Sequence, residues 1–207
     1  PMAAGIGAGL PIAEPKASMV VDIGGGTTEV AIMSLADIAT CESVRVAGDD
    51  FDEAIIQHMK KTYNMTIGEQ TAERIKIEIG SAAKVTDDTV LEVRGRDNTN
   101  GLPGKTDVTS EEIREALQDP VRSIVDAVKR TLDRAEPELS ADLISEGICL
   151  VGGGALLRGI DVVINRETNL DVTIAEDPLT CVARGTSIYL ENIEVWKGTM
   201  ESDMDDL

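Results

Sequence analysis

Hydrophobic positions along this chain change period twice. Apolar runs at residues 19–21 and 30–33 flank a glycine triplet. With turns near Gly25 and at Ala36-Asp37, residues 18–46 predict a three-stranded meander, which Gly48 stops. The period then becomes helical. Asp49 or Asp50 can cap a helix running to about Asn64, with Phe51, Ile55, Ile56 and Met59 on one face. Ala72, Ile75, Ile79 and Ala82 form the apolar stripe of a second helix over residues 71–83. Residues 89–93 alternate like a strand, and 95–105 read as a polar loop. Thr109, with Glu112 three residues on, marks a helix start. That helical region continues to about Ala135 with a kink at Pro120, and Pro137 ends it. The remainder alternates: a strand at Ile148, a helix from Ala155, a strand at Val172-Thr173-Ile174 and a helix over residues 178–190. Ahead of the meander, residues 1–10 are small and apolar like the end of a buried helix, and residues 11–16 are a linker with two prolines. Antiparallel strands followed by alternating helices and strands predict an α/β subdomain carrying an inserted α+β subdomain.

Composition narrows the possibilities. A chain of 207 residues can bury a substantial core, as one large domain or two small ones. Aromatic residues make up only 2%, so that core must rest on Ile, Val, Leu, Ala and Met. The formal net charge of −19 argues against nucleic acid as a partner, and against electrostatic attachment of this portion to an anionic membrane. It is equally the ordinary state of a soluble cytosolic protein. Cys41, Cys149 and Cys181 are far apart with no Cys-x-x-Cys, which fits buried thiols in a reducing compartment. His58 is the only histidine, so a structural metal site and a Ser-His-Asp triad are both disfavoured. No stretch approaches the length of a transmembrane helix. The tail after Trp196 is acidic and poor in apolar residues, which predicts disorder.

The candidate chemistry lies in two glycine triplets. Asp22-Ile23-Gly24-Gly25-Gly26-Thr27-Thr28-Glu29 reads strand, tight turn, strand. Without Cβ atoms the turn can adopt positive φ and approach a ligand closely, and its N–H groups can converge on phosphate. Asp22 stands where it can face Mg²⁺, and Thr27 adds a hydroxyl. No Lys follows the glycines and a strand comes next, so this is not a Walker loop. Gly152-Gly153-Gly154 follows the apolar run at 148–151 and precedes a helical pattern, a second site suited to a phosphate or nucleoside. Each triplet also fits an ordinary turn. Glu73 and Lys76 share a helix face, a spacing that equally suits a surface salt bridge.

These motifs carry a resemblance. Together with Pro1-Met2-Ala3-Ala4, Ala47-Gly48-Asp49-Asp50-Phe51-Asp52-Glu53, the run from Ile67 to Gly80, and Ala155-Leu156-Leu157-Arg158-Gly159, the chain resembles the actin-like ATPase superfamily. Within it, the stretch 67–80 is most similar to the MreB family of bacterial actin homologues, the rod-shape-determining filament proteins. The resemblance implies the C-terminal half of the actin-like ATPase fold: a ribonuclease-H-like α/β subdomain with a smaller inserted α+β subdomain. Residues 1–17 are then the end of the N-terminal domain and a linker. Residues 18–47 and 121–195 form the nucleotide-binding α/β subdomain, 48–120 the insertion, and 196–207 the acidic tail.

The resemblance also implies ATP and Mg as ligands. Asp22 would orient Mg²⁺ through water, and Gly24, Gly25, Gly26 and Thr27 would hold the β- and γ-phosphates. Glu29 occupies an acidic position of the same motif, but suits a solvated strand residue equally well. Glu73 and Lys76 would contact the ribose, and Gly152, Gly153 and Gly154 would lie against the adenosine. Arg158 resembles a position near the purine, or is simply exposed. Ala183 and Gly185 resemble packing positions of the last connecting helix. The family opens with an Asp-x-Gly-Thr phosphate hairpin and carries an acidic residue just before its Pro-Met-Ala-Ala segment. Neither is found here, so the expectation is a C-terminal fragment without appreciable ATPase activity of its own. The implied function is an ATP-binding cytoskeletal filament at the inner face of the cell membrane that directs cell-wall synthesis. Its partners would be copies of itself and membrane-bound cell-shape and cell-wall synthesis proteins, with membrane contact through the N-terminal half and no role for nucleic acid. Chaperone-type ATPases and small-molecule kinases share the glycine motifs. The short acidic tail counts against the first, and the lack of a marked substrate pocket against the second.

Overall fold

The computed structural model describes residues 1–84 and 89–193. In chain order the elements begin with α1 (Met2–Gly7), β1 (Ser18–Ile23), β2 (Thr28–Ser34), β3 (Asp37–Val44), α2 (Gly48–Tyr63), β4 (Met65–Thr66) and α3 (Glu69–Ile79). They continue with β5 (Val90–Asp97), β6 (Pro103–Thr109), α4 (Ser110–Ala116), α5 (Gln118–Arg134), α6 (Pro137–Glu146) and β7 (Ile148–Val151). A 3-10 turn (Gly153–Leu156), α7 (Ile160–Thr168), β8 (Val172–Ile174) and α8 (Cys181–Glu191) complete the fold. The acidic tail lies outside the described residues.

Two sheets organise these elements. The larger has strand order β3-β2-β1-β7-β8; β1, β2 and β3 are antiparallel, while β7 and β8 run parallel to β1. The smaller is antiparallel, in the order β4-β5-β6. β1 is central and apolar on both faces, as a strand covered on two sides must be. Met19, Val21 and Ile23 face a core shared with α2, α3 and α5, and Val20 faces a second cluster formed with α1 and α8. The first core runs without a break from the large sheet into the small one, through Phe51, Ile55, Ile75, Val93 and Val108. α1 and α8 pack backbone against backbone. A Cβ on Gly7 would collide with the Cys181 carbonyl, and one on Gly185 with the Ala3 carbonyl. Gly185 is therefore a packing residue as expected, whereas Ala183 is exposed.

The meander and the capped start of α4 match the sequence pattern. Thr109 Oγ1 accepts from Glu112 N at 3.3 Å, and Glu112 Oε2 accepts from Thr109 N at 2.9 Å. Other expectations need correction. Neither Asp49 nor Asp50 caps α2: Ala47 holds that position, and the Asp50 carboxylate accepts from its N–H at 2.9 Å. The second helix spans Glu69–Ile79 rather than 71–83, because Gly80 turns to extended backbone. The polar loop shrinks to 98–102, since β5 and β6 run on into a hairpin. Its turn is fixed by the Asp97 carboxylate, which accepts from Thr99 N at 2.7 Å. Pro120 makes no kink. The chain breaks at Leu117, and Pro120 falls in the first turn of α5, where a missing N–H costs nothing. Pro137 opens a further helix, α6, for the same reason. The helix expected from Ala155 is a 3-10 turn followed by α7, with Gly159 at φ +76° between them.

Candidate functional site

The hairpin turn between β1 and β2 is closed by one bond, Gly24 N to Thr27 O at 3.0 Å. The start of α2 docks on it: Gly48 N donates to Gly24 O at 3.1 Å and Asp49 N to Gly25 O at 2.8 Å. The buried Thr28 hydroxyl ties the same corner, donating to Val46 O at 2.7 Å. The N–H groups of Gly25, Gly26 and Thr27 donate no hydrogen bond to any described residue. Three successive unpaired, exposed amides in a turn are an anion-binding arrangement. The expectation of positive φ at this turn is not met. None of Gly24, Gly25 and Gly26 lies in the left-handed region. A Cβ on Gly25 would sit 3.6 Å from Asp49 Oδ1, and one on Gly26 3.8 Å from Asp49 Oδ2, both ordinary contacts. The fold itself therefore gives no reason for glycine at these two positions.

The second triplet is different. Gly152 has φ +81°, and a Cβ there would lie 2.6 Å from Asp22 Oδ1 and overlap the Ile23 carbonyl. A Cβ on Gly154 would overlap the Ile23 side chain, 2.8 Å from its Cβ. These two glycines let the segment after β7 cross the end of β1. Only Gly153 is open, with the flexible tip of Leu179 3.2 Å away.

Between the two triplets lies a cavity of about 480 Å³, a size suited to a small organic ligand. Gly24, Gly25, Glu73, Lys76, Gly153, Gly154 and Arg158 all line it, so the structure brings together seven of the residues singled out in the sequence. Gly26, Thr27 and Gly152 border the same turns without lining the cavity. Asp22 does not line the cavity. By strand alternation it shares the β1 face of Val20, but its Oδ1 reaches the second triplet, where a Cβ on Gly152 would lie 2.6 Å from it. Burial pushes its carboxyl above the usual range; the chain's amino group opposes this and Glu29, its cross-strand neighbour, adds to it.

Lys76 does not pair with Glu73. Its ammonium lies 2.9 Å from Asp52 Oδ1 and 3.0 Å from Oδ2, and donates to Gly48 O at 3.2 Å. Burial drives the Asp52 carboxyl upward, against the hydrogen bond and charge of Lys76. Arg158 is neither idle nor free. Its Nε donates to Gly80 O and its Nη2 to Glu78 O, each at 3.0 Å, so the guanidinium caps the last carbonyls of α3 across the cavity mouth. Asp49, Asp52, Ile77, Leu156 and Leu179 also line the cavity and were not assigned to the site from the sequence. Asp52 follows Asp49 by one helical turn, a spacing that marks a shared face. The three apolar residues are exposed, at 70%, 53% and 66%. They give the cavity an apolar lip suited to a flat ring.

Strand order, helix placement and the cleft between two glycine turns define the actin-like ATPase fold. Over 93% of this chain the fold is shared with a MamK double helical filament, at a TM-score of 0.76 and 22% identity, across 58% of that chain. The chain belongs to the MreB/Mbl family: the family profile described as MreB/Mbl protein matches residues 1–198. It is 52% identical over 203 residues to the cell shape-determining protein MreB of Escherichia coli strain K12, covering 98% of this chain and 58% of that protein. The crystal structure of MreB5 of Spiroplasma citri bound to ADP matches at a TM-score of 0.90 and 40% identity, over 95% of this chain and 59% of that one. A structure of the same protein bound to AMPPNP matches at 0.90 and 38%, over 100% and 60%. The chain thus spans somewhat over half the length of the relatives it matches.

Proposed function

We propose that this chain is the nucleotide-clamping part of an ATP-binding, actin-like cytoskeletal protein. Its filaments lie at the inner face of the cell membrane and direct cell-wall synthesis and rod shape. The observation that carries the nucleotide reading is the turn 24–27, with three unpaired amides and glycines that the fold does not require, opening beside the cleft. The ADP and AMPPNP carried by Spiroplasma citri MreB5 support the same ligand class, and the MamK filament supports self-association.

In this reading the amides of Gly25, Gly26 and Thr27 bind the β- and γ-phosphates, and Gly24 leaves room for them. Lys76 and Glu73 flank the ribose. Ile77, Leu156 and Leu179 enclose the base, and the backbone at Gly153 and Gly154 lies against it. No group of three or more His, Cys, Asp or Glu that could hold a metal exists among the described residues. Magnesium would therefore keep most of its water and take phosphate oxygens, for which a single carboxylate such as Asp22 suffices. Phosphoryl transfer to water rests on such positioning and charge stabilisation. The division into an α/β subdomain (18–47 and 121–195) and an insertion (48–120) is part of the proposal, as are the membrane-bound cell-shape partners. No helix among the described residues is long and apolar enough to cross a membrane.

The test is ATP-dependent pelleting with electron microscopy of the full-length natural protein, in solution and on lipid, with Asp22→Ala as control. Filaments that need both ATP and Asp22 support the proposal. Mg-ATP binding without filaments under every condition overturns the cytoskeletal part and leaves a non-polymerising member of the fold class.

A further inference from the structure

Lys76 sits where three parts of the cleft meet. It projects from α3, whose buried stripe is Ala72, Ile75 and Ile79, toward the first turn of α2. Its side chain is 18% exposed and that of Asp52 16%, so the pair is largely shielded from screening by water. A lysine ammonium has three donors on a flexible four-carbon stem, and holding it in one place needs more than one acceptor. Here the Asp52 carboxylate and Gly48 O supply them, which leaves one N–H for a ligand in the cavity that Lys76 lines. The second acceptor matters most. Gly48 receives Lys76 on its carbonyl and gives its own N–H to Gly24 O, at the base of the phosphate-side turn. The next amide, Asp49 N, holds Gly25 O. An unbroken set of bonds thus joins α3 to the turn 24–27 through a single residue that carries no side chain. Glu73, the partner suggested by spacing, is exposed and takes no part.

We propose that Asp52 is a positioning residue that fixes Lys76 as a strut between α3 and the phosphate-side turn, so that filling the nucleoside side of the cleft sets the geometry of the phosphate side. This rests on the nucleotide reading above. Asp52 lines the cavity as well, but its role here is exerted through Lys76. Its carboxylate takes one donor of Lys76 and turns the remaining one to the cavity, and without it the stem is free to swing into solvent. Glycine at position 48 suits the role because a Cβ there would sit 3.2 Å from Gly24 O and push the turn away.

Two measurements on the full-length natural protein test this. The first is a double-mutant cycle on ATP affinity with Asp52→Asn, Lys76→Met and the pair. Each single change should weaken ATP about tenfold, or about 1.4 kcal/mol. The double variant should be no weaker than the poorer single, because both act through one strut. The second is hydrogen exchange of the amides at 24–28 and 48–50 on adding adenosine, which has no phosphate. Wild type should show slowed exchange at the turn, and Asp52→Asn should not, although ATP still protects both. Additive losses in the cycle, or equal adenosine protection in Asp52→Asn, overturn the strut. Asp52→Glu guards against a folding defect: it restores the charge, and partial recovery of adenosine protection is expected, whereas none overturns the proposal. If wild type binds neither ATP nor adenosine, the nucleotide reading itself fails, a result distinct from binding without coupling.

Discussion

Alanine at Gly25 and at Gly154 should act in opposite ways, although both residues belong to glycine triplets beside the same cleft. At Gly154 the added Cβ would overlap the Ile23 side chain and stand 3.1 Å from its carbonyl oxygen. Ile23 cannot give way. It is fully buried in β1, and its β-branched side chain has little χ1 freedom. Overpacking of this kind costs about 1–3 kcal/mol. In a chain of this size each kcal/mol shifts Tm by roughly 2–4 °C, so the middle of that range is a fall of roughly 4–8 °C. At Gly25 the backbone is not left-handed and the Cβ meets only Asp49 oxygens, 3.6 and 3.8 Å away. Removing glycine freedom from the unfolded chain then stabilises by about 0.4–1 kcal/mol. Tm should stay level or rise slightly, while the methyl intrudes where phosphate must approach the amides. The assay is calorimetry without nucleotide, paired with titration of a fluorescent ADP analogue. Gly25→Ala should keep its Tm and lose about tenfold or more in affinity, and Gly154→Ala should show its main loss in Tm. An equal fall in Tm for the two variants, or unchanged affinity in Gly25→Ala, would refute the distinction between a ligand-driven and a packing-driven glycine.

Three further outcomes are expected. Leu35 and Ala36 form the β2–β3 turn at φ +54° and +62°, a pair of left-handed positions that favours Asn-Gly. The double change Leu35→Asn with Ala36→Gly should therefore stabilise by about 1 kcal/mol or more in urea unfolding, and a loss would show that the exposed leucine makes a stabilising contact. Tyr63 donates to Glu112 at 2.6 Å, and burial, then that bond, push its phenol up from 10.0 to about 12. A raised phenol contributes stability that is full below about pH 10 and lost as pH climbs to about 12. Tyr63→Phe should remove that alkaline step and cost about 1 kcal/mol at neutral pH, and an unchanged step would assign it elsewhere. Asp22 is raised chiefly by burial, so its ionised form disfavours folding at neutral pH. Asp22→Asn should raise Tm at pH 7, with the gain fading as acid protonates the wild-type carboxyl. A lower Tm at pH 7 would mean that the carboxylate is structurally satisfied.

Local features were legible in the sequence and long-range ones were not. The meander could be read because turns and apolar blocks lie within a few residues of one another, and the start of α4 because Thr109 and Glu112 cap each other within one turn. Pro137 misled because proline both ends helices and opens them, and only the packing of Leu143 beyond it shows which applies. The triplet at 152–154 looked like the mouth of a helix. The crossing over Ile23, set by strands more than a hundred residues apart, forces a 3-10 turn instead. Of the seven cavity-lining residues singled out from the sequence, six lay in glycine turns or on one helix face. Asp52 as the partner of Lys76 could not be found that way, since the two meet across different helices. The roles of Arg158 and Leu179 likewise depend on elements that approach only in the folded chain.

The charge of the cleft links these observations. Asp49, Asp52 and Glu73 line it against only Lys76 and Arg158, in a chain of net charge −19. Both cations are already engaged, Lys76 by Asp52 and Gly48 O, and Arg158 by the carbonyls that end α3. A nucleotide polyanion entering here cannot rely on side-chain charge. What remains are the three unpaired amides of the turn 24–27, whose N–H dipoles favour an anion without adding net charge, and a cation that arrives with the ligand. Lys76 offsets Asp52, whereas Asp49 and Glu73 carry no ion pair among the described residues. Under the proposed function, a nucleotide arriving with its metal would bring positive charge beside these two carboxylates. The bound metal would then offset the acidic lining, and the proposed Lys76 strut would link α3, through Gly48, to the turn proposed to hold the phosphates.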